Sequence, residues 1–244
     1  MKHIKRLLLT ILVVFILPTL VSAGLWVTRD HPANWRDADW SSSGLLKPAS
    51  DDGDAAIYVF SARTGGFKGS VASHAWIVTK AKGGDYVRYD KVGWGSPIRR
   101  NHRPPDAFWY SNTPEQVVAV HGPAAERLIP AVEKAIADYP HSSAGDYRIY
   151  PGPNSNTFVA HVLRSVPELG AVLPPDAVGR DYIADGRLLA IDSDGRDVHV
   201  SYQGLLGFAA GQRSGLEVHF LGLVAGIDFS RPAIKLPGIG SLGL

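Results

Sequence analysis

The chain has 244 residues, 45% of them hydrophobic and 20% charged, which suits a globular protein with room for one domain of about 200 residues, with or without an appendage. The absence of cysteine excludes disulfides, thiolate metal sites and a cysteine nucleophile. The formal charge of +2 comes from the first residues: without Lys2, Lys5 and Arg6 the remainder holds 22 basic against 23 acidic residues, so nothing electrostatic argues for a nucleic-acid partner.

Residues 1–23 read as a targeting segment. Lys2, Lys5 and Arg6 precede an apolar run from Leu7 to Leu17, Pro18 breaks it, and Val21-Ser22-Ala23 is a small-residue cleavage site. Cleavage after Ala23 is the first expectation, and an uncleaved anchor running to Val27 is the rival, the run being short of the roughly 20 residues that span a bilayer. Either way the body is expected to be exported, in the periplasm or anchored in the inner membrane facing it, with membrane association through the N-terminus. Residues 24–54 form a Trp-rich arm whose Trp26, Trp35 and Trp40 follow no period, and it is expected to strap its indoles onto the domain.

The body is read as residues 55–182. Ala55 to Ala62 and Val71 to Lys80 are β-rich runs, and Tyr86 to Val92 follows a Gly-Gly-Asp turn, which predicts an antiparallel meander. Alternation puts Tyr86, Arg88 and Asp90 on one face of the third strand. The Gly-rich loop from Arg63 to Gly69 lacks the G-K-[ST] of a phosphate loop. Gly93 to Tyr110 is a Gly/Pro-rich loop with Trp94 and Trp109. It also holds the one concentrated positive patch, Arg99, Arg100, His102 and Arg103, read as a solvated face ahead of an anion site. Gln116 to His121 is a short strand. Gly122 to Tyr139, with Pro123 in its first turn and apolar residues at helical spacing, is the clearest helix.

A second helix is expected after Pro151-Gly152-Pro153-Asn154, with Asn154 or Ser155 as its cap and Phe158, Val159, Val162 and Leu163 on its apolar stripe. Residues 183–244 are expected to be a β-rich extension, with strands over Arg187–Asp192, Asp197–Tyr202 and Gly215–Asp228. The last of these is apolar on both faces and is predicted to be a buried central strand. The tail Pro232 to Leu244 is read as a strap or a membrane-surface segment. Asp192-Ser193-Asp194-Gly195 lacks the distal Glu of a calcium loop and is read as a turn; no metal site and no cofactor is expected.

Asn154-Ser155-Asn156-Thr157-Phe158 resembles the N-C-N-x-F motif of the permuted papain-like peptidases called PPPDE enzymes, and the N-C-x-x-F segment of the lecithin:retinol acyltransferase and permuted NlpC/P60 relatives. In those families a strand-opening His precedes the nucleophile of a helix N-terminus, as His74 precedes Ser155 here. This chain has Ser where they have Cys. The region from Trp35 to Tyr182 more closely resembles an uncharacterised bacterial family of unknown function, on the segments RTGGFKG, SHAWIV, RYDKVGWG, YPGPNSNTF and LPPDAVGRDY, and that resemblance implies no activity.

The resemblance implies an α+β fold, an antiparallel sheet with packed helices in the permuted papain-like manner. It makes Ser155 the candidate nucleophile and His74 its base. A third group should orient the imidazole, and position on the neighbouring strand gives that place to Asp90 or Arg88, or to Tyr89 if the register shifts. Asn154 and Asn156 are candidate oxyanion donors, and Arg88, Trp76 and Trp94 candidate substrate contacts. The expected activity is hydrolysis or acyl transfer at an amide or ester of an envelope ligand: peptide, peptidoglycan or lipid. The alternatives are an inactive relative that binds such a ligand and a structural envelope protein.

Overall fold

The structure is a computed structural model that describes residues 2–243. A helix runs from Lys2 to Val27, as α1 (Lys2–Ile11), a π-helical turn at Leu12–Ile16 and α2 (Leu17–Val27). It is long and apolar enough to cross a membrane, as a signal sequence or an anchor is. It continues through the expected cleavage site, and Ser22 donates to the carbonyl oxygens of Ser70 and Gly238.

A five-stranded antiparallel sheet follows, made of β1 (Ala56–Arg63), β2 (Ser73–Lys80), β3 (Tyr86–Lys91), β4 (Ile98–Arg100) and β5 (Glu115–His121), in the order β4-β3-β2-β1-β5. β1 and β2 are apolar on both faces because both faces are covered. On one side α3 (Gly122–Ala137) and α4 (Ser155–Ser165) pack Val132, Ile136, Phe158 and Val162 onto Ile57, Val59 and Ile77. Each such buried side chain stabilises by roughly 1.5–3 kcal/mol. On the other side Phe60, Trp76 and Val78 are closed over by the 93–110 loop and the arm, whose Trp40 meets Trp109 edge-on at 5.1 Å. The loop holds β4, a strand its Gly/Pro texture concealed.

The C-terminal part is a second, seven-stranded antiparallel sheet: β6 (Leu189–Ile191), β7 (Asp197–Tyr202), β8 (Leu206–Gly211), β9 (Gly215–Phe220), β10 (Leu223–Asp228), β11 (Ala233–Leu236) and β12 (Gly240–Gly243), paired in sequence order. The chain is therefore α+β with a β-rich C-terminal part. The run from Gly215 to Asp228 is not one buried central strand. Leu221, at a φ of 51°, and Gly222, at 71°, turn it into the β9–β10 hairpin, and one face of that hairpin is exposed. The tail is likewise two strands rather than a strap, with Leu244 outside the described residues.

Candidate functional site

Residues 147–155 approach α4 as a tight, polar turn. Asn154 has an extended backbone and caps the helix, its Oδ1 accepting from the N–H of Asn156 at 2.9 Å and of Thr157 at 3.1 Å. Thr157 Oγ1 reciprocates by accepting from the Asn154 N–H at 3.2 Å. Gly179, at a φ of 96°, lies so close that a Cβ there would stand 2.3 Å from Asn154 Nδ2, so the cap requires glycine at that place. The cap leaves Ser155 as the first helical residue, at the positive end of the helix dipole. The Ser155 hydroxyl and N–H face the Tyr147 phenol, whose pKa is raised by burial and partly drawn back by these two contacts.

His74 lies near the start of β2. Its Nε2 is 3.0 Å from Asp90 Oδ1 on β3. Arg88, two residues before Asp90 on the same face, grips that carboxylate with two bonds, Nε to Oδ2 at 2.6 Å and Nη2 to Oδ1 at 2.9 Å. Burial alone would raise the Asp90 pKa, but the Arg88 charge and the His74 bond outweigh it and hold the group well below the usual carboxylate range. An ionised Asp90 accepts, so Nε2 carries the proton and Nδ1 is left with its lone pair. Burial lowers the His74 pKa, against the pull of Asp90, and favours the neutral imidazole. Trp109 fixes the ring plane by stacking flat on it, with centroids 3.7 Å apart and planes within 4°.

The two halves meet where the start of β2 touches the start of α4. Asn156 Nδ2 donates to the Ser73 carbonyl oxygen at 2.9 Å, tying the residue after Ser155 to the residue before His74. His74 and Ser155 both line one cavity of about 580 Å³, a size that suits a small ligand. Its walls are largely apolar and include Trp94, Trp109, Tyr147 and Tyr150. Among the hydrogen bonds of the described residues none joins Ser155 to His74. Strand alternation gives His74 the Trp76 face of the sheet, whereas α4 packs on the Ala75 and Ile77 face, so the two side chains approach the cavity from opposite sides of the strand end.

Of the residues read from the sequence as candidates, His74, Ser155, Asn154, Asn156 and Trp94 line this cavity, while Asp90 stands behind His74. Arg88 and Trp76 do not line it. Trp76 is fully buried and donates to the Pro105 carbonyl oxygen, and Arg88 stacks on Trp76 at 4.0 Å while it grips Asp90. The amides of Asn154 and Asn156 are not free to meet an oxyanion. Asn154 Nδ2 donates to Ile149 and Val178, and Asn156 Nδ2 to Ser73 and Val178, all backbone carbonyl oxygens. Sequence reasoning passed over Tyr147 and Trp109. Tyr147 lies three residues ahead of the YPGPNSNTF segment, and nothing in the pattern shows that its side chain meets Ser155 at the helix start. No group of three or more His, Asp or Glu among the described residues is arranged to hold a metal ion.

Residues 54–182, just over half of the chain, match the family described as Protein of unknown function (DUF3750). No curated protein and no solved structure matches the chain.

Proposed function

The chain belongs to that family of unknown function, and we propose that it is an exported envelope protein whose cavity at the start of α4 hydrolyses or transfers an acyl group from an amide or ester, in a permuted papain-like arrangement with serine as nucleophile. One observation carries the reading. Ser155, at the first position of a helix, shares a cavity with an imidazole whose other nitrogen is held by an ionised aspartate. Ser155 Oγ attacks the carbonyl carbon and His74 Nδ1 takes its proton. The oxyanion that forms is met by the Ser155 N–H and the Tyr147 hydroxyl. His74 returns the proton to the leaving amine or alcohol, and a water or acceptor alcohol then releases the acyl group. No hydrogen bond among the described residues joins Ser155 to His74, so this reading requires the two to meet when substrate fills the cavity, as catalytic bonds that are long without substrate commonly do.

The test is labelling of the folded chain with a fluorophosphonate. Ser155 is expected to react, Ser155→Ala to abolish labelling, and His74→Gln to slow it by about 100-fold or more, the scale of a lost general base. No labelling of folded protein removes the hydrolase reading. A second reading, a binding protein built on the same cleft, is favoured by the side chains of His74 and Ser155 approaching from opposite sides of β2 and by the phenol over the hydroxyl. Under it, Ser155→Ala keeps ligand affinity and wild type shows no turnover.

A further inference from the structure

The C-terminal sheet turns many polar residues inward, beside Ala209, Val224 and Ala233, and presents an apolar face outward. In β7 the buried positions are Asp197, His199 and Ser201, and the outward ones Val198, Val200 and Tyr202. In β9 Glu217 and His219 are buried, and Leu216 and Val218 are about half exposed. In β11 Lys235 is buried beside an exposed Ile234. The pairing aligns the outward residues into rows. One row runs across all seven strands, from Ile191 through Val198, Ala210, Leu216, Ile227 and Ile234 to Leu242, and a second holds Leu189, Val200, Phe208 and Val218. No charged residue stands on this face in any of the seven strands. The strands, three to six residues long, average about 17 Å and seven of them span about 29 Å, so the face covers roughly 500 Å², in the upper half of the range for the largest patch on a monomer.

What covers it follows from the N-terminal helix. Phe15 packs on Phe220 of β9, ring centroids 5.5 Å apart, and the π-helical turn that holds Phe15 runs against β10. The exposed leucines of the helix, among them Leu12, Leu17 and Leu20, therefore continue the apolar surface of the sheet. One occupant covers both at once: a lipid bilayer. We propose that the outward face of the β6–β12 sheet rests on the membrane that receives the N-terminal helix, its apolar rows dipping into the boundary between headgroups and acyl chains. Contact through a face leaves the open edges at β6 and β12 at headgroup level, where water can satisfy their backbone groups, as hydrocarbon could not. The proposal does not depend on the role of Ser155.

The absence of native cysteine makes single-site labelling direct. The full chain carrying Val218→Cys, labelled with the environment-sensitive dye NBD, is mixed with phosphatidylcholine–phosphatidylglycerol vesicles with and without 5-doxyl phosphatidylcholine. Lys82→Cys, on an exposed turn of the other sheet, is the control. Blue-shifted emission at position 218, quenched about two-fold or more by the doxyl lipid and unquenched at position 82, is the expected result for an interfacial face. A blue shift without lipid quenching identifies a protein partner or a second copy and overturns the proposal. Solvent-like emission overturns it as well. Ile234→Cys, on the other row, repeats the readout should the first variant not fold.

Discussion

At the scale of single residues, the site turns on how His74 is held. Its proton on Nε2 belongs to a bond with Asp90, and Asp90 is fixed by Arg88, so the imidazole has one tautomer and one orientation. The Arg88–Asp90 pair is buried, with both side chains nearly inaccessible. Asp90→Ala is therefore expected to leave an uncompensated guanidinium in the core and to destabilise by about 3–5 kcal/mol, read as a lower urea midpoint. His74 itself links stability to pH. In the folded state its pKa lies below the ordinary value, so the unfolded chain, titrating near 6.5, binds the proton first. Stability is therefore fully present above about pH 6.5 and falls as acidification carries the solution down towards the folded pKa. His102 and His161 are shifted in the same direction by burial, so the measurement must be differential. Urea midpoints between pH 5 and 7 should depend on pH less steeply for His74→Gln than for wild type, and an unchanged slope refutes the assignment.

At the scale of elements, α4 is short, and its place depends on the cap. Asn154 satisfies two helix N–H groups and also ties the helix start to the carbonyl oxygens of Ile149 and Val178. Losing a cap costs about 0.5–2 kcal/mol, and the two further bonds place Asn154→Ala at or above the upper end of that range, measurable by thermal unfolding. Asn154→Ser, which restores only the cap, should recover part of it. This segment was the most legible in the sequence, because turn residues, a capping amide and an apolar stripe are local signals. The first sheet was legible for the same reason, as was the shared face of Arg88 and Asp90, since strand parity is fixed by chain geometry. The stack of Trp109 on His74 and the cover of Tyr147 over Ser155 were not, because both depend on where long loops return. Trp76 and Arg88 were misplaced as substrate contacts because strand parity tells which face a side chain takes, not what covers that face.

At the scale of the whole molecule, the run from Gly215 to Asp228 reads as one buried central strand because its apolar residues are nearly continuous, whereas Leu221 and Gly222 fold it into a hairpin with one face outward. Apolar residues ordinarily turn inward; here the inward face holds Asp197, His199, Glu217, His219 and Lys235 alongside Ala209 and Val224. Glu217 is the hub, bonded by Arg180 and Lys235 and 3.2 Å from His219 Nε2. Burial would raise its pKa, yet Arg180 and the other cations hold it well below the usual carboxylate range. Arg180 comes from the segment before the sheet and also donates to the Leu173 carbonyl oxygen, so this network is one fastening of the sheet to the rest of the chain, beside the bonds that Ser22 and Arg63 make to the Gly238 carbonyl oxygen. Away from Phe220 and Ala225, where the N-terminal helix packs, the outward face adds little burial energy to that attachment in water. Two adjacent residues should then behave in opposite ways. Glu217→Gln leaves two buried cations without a counter-charge and is expected to cost about 3–5 kcal/mol, freeing the C-terminal sheet to proteolysis. Val218→Ala, one residue on and facing out, should change stability by no more than about 0.5 kcal/mol in vesicle-free solution. Equal sensitivity at the two positions would mean that the outward face is already covered within the folded protein, and that the polar network is not one of the sheet's fastenings.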